Sequence, residues 1–377
     1  MSGEVKQNAS VASGAIGAAP SATESASDPL MTTNPEDVGA EWHNTTSGQI
    51  FICKDNTAGL NVWIGQKGGR VYPVRGILMG GQNAASPSVA VNTIDYVTIP
   101  NIGNATDFGD MSGVFKHMAA TSNGMKDRAV SGGGMRDTGS SLNIMEYVTI
   151  SSTGNTTDFG DLATATRQFS ATSNGSNDRG VWGGGYSSSN TTINVLQYVT
   201  ISSAGNATDF GDATTVMQDN AATSNGTNER GIWMGGNRPS LSNIIDYITI
   251  STTGNSTDFG DLSTNISYPA ACSNHTNERG VRLGGYDGSG QSNVIEYVTI
   301  NTTGNVTDFG DLITAIYGST GTSSGTEERG RSMGGYPGGV HTNVIEYITI
   351  SSTGDGQDFG DLTVARQASQ GAASDAG

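Results

Sequence analysis

The amino-acid sequence predicts an all-β fold, a β-propeller of six blades with four strands in each blade. The first observation is a twenty-residue phrase, NVIEYVTINTTGNVTDFGDL at positions 293–312, that occurs six times with small changes. After a first unit with a longer insert, the copies are 49 to 51 residues apart, which is the period of propeller blades. The chain also has 55 glycines and only 14% charged residues, a composition that favours short strands and tight turns over long helices.

Each copy of the repeat keeps the same landmarks at fixed spacing. An arginine is followed five residues later by a glycine pair, then by a tyrosine, and twelve residues after the tyrosine by a phenylalanine. The arginines are Arg75, Arg128, Arg179, Arg230, Arg279 and Arg329. The tyrosines are Tyr96, Tyr147, Tyr198, Tyr247, Tyr297 and Tyr347, and the phenylalanines are Phe108, Phe159, Phe210, Phe259, Phe309 and Phe359. This regularity indicates one structural unit built six times.

Four short segments in each unit have the character of strands. In the fourth unit they are residues 221–225, 230–236, 244–250 and 258–262. Apolar residues fall on both faces of the third segment, as in a strand packed between neighbouring blades. The intervening TTGN and SNGTNE have turn chemistry, and we expect the glycine pair to end the second strand where backbones crowd and no Cβ is tolerated.

The two ends of the repeat region predict how the propeller closes. Each recurring phenylalanine is followed twenty residues later by the next recurring arginine, and the first strand lies between them. Eighteen residues follow Phe359, enough for a first strand only, whereas Arg75 opens a second strand that lacks a matching first strand. We therefore expect the C-terminal run QGAASDAG to complete the first blade and leave no open sheet edge. The alternative source of the missing first strand is RVYPV at 70–74, but its sequence resembles none of the other first strands.

The segment before the propeller, which we assign to residues 71–377, divides into two parts. Residues 1–33 are rich in Ala, Ser and Gly, which predicts a flexible arm. Residues 34–70 contain three alternating segments, EWHNT, QIFIC and NVWIG, which predicts a small β-hairpin module for anchoring. The module is too short for a sizeable core, so we expect it to dock on the propeller, on a partner or on copies of itself; the alternative is a minor core of its own. The anchoring residues would be Trp42, Ile50, Phe51 and Trp63.

The repeat resembles a known family. A double glycine, then a tyrosine, then an aromatic residue about a dozen positions later is similar to the kelch repeat, with Phe where kelch units usually carry Trp. This resemblance implies four-stranded blades packed radially around a central axis. The pattern GAxW…TSGxIFIC…VW and the phrase ending GNATDFGDL also resemble segments of marine bacteriophage structural proteins, including tail-fibre and appendage components. That resemblance implies a virion protein without giving its position on tail, fibre or capsid.

Charge and cysteine content argue against several classes of partner. The net charge of −17, with no basic patch, repels nucleic acid and anionic membranes. Cys53 and Cys272 cannot form a disulfide framework, and we expect small buried hydrophobic residues there. The N-terminus has an acid where a signal peptide needs a basic region, and no segment approaches the roughly 18 apolar residues of a membrane span. We expect a protein assembled in a host cytoplasm without membrane insertion.

Catalytic and metal-binding patterns are sparse. DFG occurs in kinases, but six copies at a fixed period without a Gly-rich phosphate loop argue against that interpretation. The recurring aspartate pair, Asp258 and Asp261 in the fourth unit, either supplies oxygen ligands to Ca²⁺ or caps turns; the sequence leaves this open. The four histidines share no recurring position and form no metal-spaced cluster. We predict no enzyme, no metal site and no cofactor.

The six copies differ most in two sets of connections. These follow the glycine pair and the fourth strand, whereas the other two connections are nearly the same in every copy. In an antiparallel meander both variable sets emerge at one end of the blades, and divergence there suggests binding; the alternative is drift of unconstrained loops. The candidate ligand-binding residues are Phe115, His117, Arg136, Phe169, Tyr186, Arg238, Tyr268, Tyr286, Tyr317 and Tyr336. Their rings and donors suit stacking on a sugar or contact with a protein.

These observations predict a bacteriophage virion protein, an appendage or fibre component. Residues 1–70 would anchor it to other virion proteins, and the variable end of the propeller would face a host-surface glycan or protein. The alternatives are a capsid decoration or cement protein and a free lectin-like glycan-binding propeller. A homo-oligomer is left open, and neither nucleic acid nor a membrane is expected as a partner.

Overall fold

The chain is all β in the part that the computed structural model describes, which comprises residues 22–30, 33–56, 58, 61–65, 70–71, 74–83, 89–324, 328–367 and 370–373. Among these residues no α-helix occurs, and the helical elements are four 3₁₀ turns. The 3₁₀ turns are Gly124–Lys126, Gly175–Asn177, Gly226–Asn228 and His275–Asn277. The contacts divide the chain into two compact units, Met1–Pro73 and Val74–Gly377. The all-β prediction is confirmed.

The described residues of the first unit form one five-stranded sheet. In spatial order its strands are Thr23–Ser25, Glu41–Asn44, Gln49–Asp55, Val62–Gly65 and Arg70–Val71. The first two strands are parallel and the others antiparallel. Thr23–Ser25 lies within the segment predicted as a flexible arm; residues 1–21 and 31–32 of that arm lie outside the described residues. Arg70–Val71 pairs with Val62–Gly65 of this sheet. The segment RVYPV, which was the alternative source of the first strand of the propeller, therefore contributes a strand to the first unit instead.

The described residues of the second unit form six four-stranded antiparallel sheets, which we number one to six along the chain. Sheet one comprises Gln370–Ala373, Arg75–Met79, Val91–Thr98 and Thr106–Phe115; sheet two comprises Ala119–Ser122, Arg128–Gly132, Ile144–Thr149 and Thr157–Asp161. Sheet three comprises Ser170–Ser173, Arg179–Gly183, Val195–Thr200 and Thr208–Asp212; sheet four comprises Ala221–Ser224, Arg230–Met234, Ser242–Thr249 and Thr257–Ile266. Sheet five comprises Ala270–Ser273, Arg279–Tyr286, Gln291–Thr299 and Thr307–Asp311; sheet six comprises Thr320–Ser324, Arg329–Met333, Val344–Thr349 and Gln357–Asp361. Two further pairs are Thr166–Arg167 with Tyr186–Ser187 and Arg366–Gln367 with Gln82–Asn83.

Sheet one joins the two ends of the second unit. Gln370–Ala373 pairs antiparallel with Arg75–Met79, with Gln370 opposite Met79 and Ala373 opposite Gly76. This is the pairing predicted for the C-terminal run. The first strand of each sheet lies against the first strands of two other sheets, in the order one to six and then again one.

Hydrogen bonds of one kind join each sheet to the next. Between sheets three and four, Gly254 N donates to Phe210 O at 2.8 Å, and Asp212 N donates to Asn255 Oδ1 at 3.0 Å. The equivalent pair of hydrogen bonds occurs at all six junctions, with an aspartate in place of the asparagine at one of them. The recurring Gly-Asn turn, which is Gly-Asp in the last copy, therefore joins neighbouring sheets, which explains why these two positions are repeated.

The glycine of the recurring DFG segment is required by this close approach. Gly260 has φ +148°, and a Cβ placed there would lie 2.4 Å from Gly304 O of the neighbouring sheet. The glycine pair is equally crowded, since a Cβ on Gly133 (φ +66°) would lie 2.4 Å from Thr166 O. The predicted crowding at the glycine pair is confirmed.

The recurring arginine, tyrosine and phenylalanine form one stack in every sheet. In sheet four the Arg230 guanidinium lies 4.5 Å from the Tyr247 ring centroid, and Tyr247 contacts buried Phe259 edge-to-face at 6.0 Å. Arg230 Nη1 donates to Ile300 O of sheet five at 3.0 Å. The other five sheets repeat this stack and its carbonyl contact. The landmarks of the repeat are therefore architectural.

Candidate functional site at the variable end

The first strands of sheets two to six line a narrow polar cavity. At the variable end it has a volume of about 70 Å³ and is lined by alanines with Ser170, Asn220, Pro269 and Ser319. At the opposite end, next to the 3₁₀ turns, its lining includes serines, threonines, Cys272 and His275. Cys53 and Cys272 are buried free thiols, as expected. Burial raises the pKa of Cys272 to about 12, so this cysteine is a protonated thiol at neutral pH and a poor nucleophile.

A row of left-handed residues lies directly before these first strands. Its members are His117 (φ 57°), Gln168 (φ 57°), Asp219 (φ 54°), Tyr268 (φ 53°) and Gly318 (φ 66°). Each amide donates to the carbonyl of the preceding member, at 2.9, 2.8, 2.7 and 2.9 Å in turn. A left-handed backbone conformation is unfavourable for any residue that has a Cβ atom. Residues with such backbone strain are often found at functional sites. We call these five residues the mouth row.

Asp219 is the most constrained side chain of the mouth row. Its carboxylate is 5% exposed and accepts hydrogen bonds from Gln168 Nε2 at 3.0 Å, Asn237 Nδ2 at 3.0 Å and Gln218 Nε2 at 3.3 Å. Gln168 Nε2 also donates to Tyr268 Oη at 3.2 Å. Burial raises the pKa of Asp219 to about 6, against the opposing effect of these donors.

His117 lies at the other end of the mouth row. Burial, together with the positive charges of Lys116 and Arg167, lowers the pKa of this imidazole to about 4. His117 is therefore neutral at neutral pH, and its carbonyl accepts the Gln168 amide. The mouth row thus presents neutral polar groups beside one carboxylate.

Four tyrosines continue the site from Tyr268 across sheets five and six. The Tyr317 ring lies 5.8 Å from Tyr268, 5.8 Å from Tyr286 and 5.4 Å from Tyr336, measured between centroids. Tyr336 contacts His341 edge-to-face at 5.5 Å. All five side chains are partly exposed, so they offer apolar ring surface and polar tips together. We call these five residues the tyrosine cluster.

The structure brings together half of the predicted ligand residues. Tyr268, Tyr286, Tyr317 and Tyr336 form the tyrosine cluster, and the mouth row connects them to His117. Tyr186 lies outside the cluster, under the Arg167 guanidinium at 4.6 Å. Arg136 is exposed, with its guanidinium 5.4 Å from the Phe115 ring centroid.

Three predicted ligand residues belong to the interior instead. Phe115 and Phe169 are 2% and 3% exposed and pack in the cores of sheets one and two. Arg238 is 7% exposed, and its Nη1 pairs with Asp246 Oδ2 at 2.6 Å. The sequence places these residues in variable segments, but Phe115 ends a ten-residue strand whose inner face is buried. Their side chains are not available to a ligand at the surface.

Two of the four proposed anchoring residues are also interior. Phe51 and Trp63 are 2% and 1% exposed and form a small core with Cys53. Trp42 is half-buried, packs edge-on against Trp63 at 6.1 Å, and donates from Nε1 to Ser27 O at 2.8 Å. Ile50 is half-buried. Phe51 and Trp63 therefore form a minor core within the module, which was the alternative to a docking surface.

Sequence reasoning missed the polar part of the site. Gln168 and Asp219 were not singled out, and neither were Gln218, Asn237 and His341 in this role. A signal exists in the repeat, because each member of the mouth row lies nine residues after a recurring phenylalanine. Comparison at that offset shows His, Gln, Asp, Tyr and Gly, an unusual diversity for a left-handed position.

Comparison of the chain with protein-family models and with curated proteins finds no match. In the described part of the chain, no group of three or more His, Cys, Asp or Glu side chains has an arrangement that could hold a metal ion. None of the described helices has the length and apolar character needed to cross a bilayer.

Replacement of Asp219 by Asn is expected to change how stability depends on pH. The folded protein holds the Asp219 proton more tightly than the unfolded chain, because the pKa rises from 3.8 to about 6. This contribution to stability is fully present below pH 3.8 and is lost as the pH rises through about 6, by about 3 kcal/mol in total. Urea unfolding of both proteins at pH 4 and pH 7.5 measures this contribution. The free energy of unfolding of Asp219→Asn, relative to wild type, should be higher at pH 7.5 than at pH 4. Parallel pH profiles for the two proteins would contradict the assignment.

Proposed function

We propose that the second unit is a closed six-bladed β-propeller that binds a saccharide at the tyrosine cluster, within a bacteriophage virion appendage or fibre protein. The junction between sheets six and one supports closure. Gly103 N donates to Phe359 O at 2.9 Å, and Arg329 Nη1 donates to Pro100 O at 2.8 Å. Thr363 Oγ1 donates to Asp95 Oδ1 at 2.6 Å across the same junction. The Gly103–Phe359 hydrogen bond and the contact of the recurring arginine with a neighbouring carbonyl have equivalents at the other five junctions, so a sixfold ring accounts for all six.

The tyrosine cluster is the observation that carries the binding proposal. Binding sites combine apolar rings with a few convergent polar groups, and saccharides offer both C–H faces and hydroxyls. Tyr317 and its neighbours supply the rings, while Gln168, itself held by buried Asp219, orients the Tyr268 hydroxyl. The carboxylate and the amides are already oriented by hydrogen bonds to one another, which lowers the entropic cost of binding.

The virion assignment is supported by the resemblance of the repeat phrase and of the N-terminal pattern to phage structural proteins. In this proposal the first unit attaches the protein to the particle. A decoration role, in which the tyrosine cluster contacts other virion proteins, and a free lectin-like protein are the alternatives. Deletion of residues 1–73 separates them, because only an anchored protein loses its place on purified particles.

Replacement of Tyr317 by Ala is expected to weaken saccharide binding at least tenfold, or about 1.4 kcal/mol. Tyr317 is the ring that contacts three others, so its loss removes the centre of the platform. A glycan array probed with the full chain identifies the saccharide, and calorimetry with that saccharide measures the change.

Tyr186→Ala is the matched control, because Tyr186 lies at the same end but outside the cluster. Its affinity should remain within about twofold of wild type. Equal losses in both variants would reject the tyrosine cluster as the binding site. Absence of any glycan signal for wild type, together with capture of a virion protein, would favour the decoration alternative.

A further inference from the structure

The residue before the recurring tyrosine is buried in every sheet and is acidic in five of six. These residues are Asp95, Glu146, Gln197, Asp246, Glu296 and Glu346, all at most 5% exposed. A buried carboxylate is costly unless a cation or several donors compensate it. The six sheets can therefore be compared for how each one compensates the polar side chain buried at this position.

Sheet five compensates its carboxylate with an arginine from the neighbouring strand. Arg282 lies directly opposite Glu296 in the register and donates from Nη2 to Glu296 Oε2 at 2.5 Å. Its Nη1 donates to Gly284 O at 2.8 Å and to Val294 O at 3.0 Å. The guanidinium thus contacts a carboxylate, the first glycine of the pair and the carbonyl two residues before the acid.

Two other sheets reach the same arrangement with arginines from different positions. In sheet four Arg238, from the connection after the glycine pair, contacts Asp246 Oδ2 at 2.6 Å and Gly235 O at 3.3 Å. In sheet one Arg366 contacts Asp95 Oδ2 at 2.9 Å and Thr93 O at 3.3 Å. Since three unrelated arginines converge on equivalent oxygens, the fold of each sheet itself creates a place for a cation.

Sheet two has the same oxygens without an arginine. Ser131 stands opposite Glu146, where sheet five has Arg282. A cavity of about 10 Å³, room for a single particle of the size of a water molecule, lies here, lined by Met111, Phe115, Ser131, Gly133, Ile144 and Glu146. Gly133, Ile144 and Glu146 occupy the repeat positions of Gly284, Val294 and Glu296, whose oxygens hold the Arg282 guanidinium.

The arginine that could fill this cavity lies outside it. Arg136 occupies the repeat position of Arg238 but is exposed, with its guanidinium over the Phe115 ring. Phe115 replaces Met217, whose Sδ lies 3.5 Å from Arg238 Nη2. A cation–π contact holds Arg136 on the outer ring surface. Among the described residues, Glu146 accepts hydrogen bonds from the neutral donors Ser112 and Thr156 and forms no ion pair.

We propose that the cavity beside Glu146 binds a small monovalent cation, of the size of potassium or ammonium. One carboxylate supplies a single negative charge, and carbonyl and hydroxyl oxygens are ligands that hard cations prefer. A cation there takes the place that the chain's own guanidinium takes in sheets one, four and five. The site ties the glycine-pair carbonyl to the third strand of sheet two, so its occupation stabilises the variable end.

Thermal unfolding of the full chain in different chloride salts at one ionic strength tests the proposal. Potassium and ammonium chloride are compared with tetramethylammonium chloride, whose cation is too large for the cavity. We expect a saturable rise in Tm of about 2 °C or more with the small cations. The variant Ser131→Arg, which supplies a guanidinium as in sheet five, should lose this rise.

Two further variants and one direct measurement complete the test. Glu146→Gln should lose the rise in Tm, whereas Glu346→Gln in sheet six should keep it, because Ile313 N (2.8 Å) and Thr314 N (3.2 Å) already donate to that carboxylate. Rubidium soaked into wild-type crystals should give an anomalous peak among the oxygens of Glu146, Gly133 and Ile144. An absent peak, or an equal rise in Tm for Glu146→Gln and wild type, would overturn the proposal. Neither result depends on whether the tyrosine cluster binds a saccharide.

Discussion

Truncation of the chain after Gln367 is expected to abolish cooperative folding of the second unit. The change removes Gln370–Ala373, which forms the first strand of sheet one and lies against the first strands of sheets two and six. Arg75–Met79 then becomes an open edge, and three sheets lose a packing partner. The loss should be comparable to the whole stability of a domain, about 5–15 kcal/mol. Circular dichroism and size-exclusion chromatography of the purified protein measure it.

A shorter truncation after Ala373 is the control. It keeps every residue of the pairing with Arg75–Met79, so its Tm should stay within about 2 °C of wild type. If the longer truncation unfolds as cooperatively and as late as wild type, the C-terminal strand is not needed and the closed ring must be abandoned.

The second large effect is expected for Gly160→Ala, at the junction of sheets two and three. Gly160 has φ +140°, and a Cβ there would lie 2.5 Å from Gly205 O. The substitution combines backbone strain with a clash between two backbones that hydrogen bonds hold together, and should cost about 3 kcal/mol or more. Urea unfolding monitored by fluorescence gives the value.

Gly205→Ala tests the other side of the same contact. A Cβ on Gly205 meets nothing within 4 Å, so this variant should change the free energy of unfolding by no more than about 0.5 kcal/mol. Both variants remove one glycine and add one methyl group, and only their positions across the junction differ. Similar losses in the two would mean that glycine content, rather than the close approach, decides stability here.

The architecture was predictable because each repeat carries redundant information. The arginine, tyrosine and phenylalanine represented by Arg230, Tyr247 and Phe259 recur in all six units. Their fixed spacing locates both the strands and the repeat period. The pairing of Gln370–Ala373 with Arg75–Met79 followed from counting residues at the two ends. Thr23–Ser25 could not be predicted, since it joins its sheet through the backbone and has no alternating side chains.

The candidate site was only partly predictable because it depends on differences between copies. Exposure of Tyr317 and Tyr336 follows from their loops, but their contact depends on how sheets five and six meet. Arg238 and Phe115 lie in the same variable segments, and only burial separates them from ligand residues. Asp219 stands out as a candidate site residue because of its left-handed backbone and the amide groups that donate to its carboxylate. Neither feature can be read from the local sequence pattern.

The mixed origin of sheet one has a consequence for biosynthesis. Its second, third and fourth strands leave the ribosome early, whereas Gln370–Ala373 leaves last among the described strands. Throughout elongation the nascent chain therefore exposes an unpaired edge on Arg75–Met79, which is open to wrong partners. Contacts between such distant segments also form slowly. Crowded polysomes translating this message should for that reason depend on holdase chaperones until translation is complete.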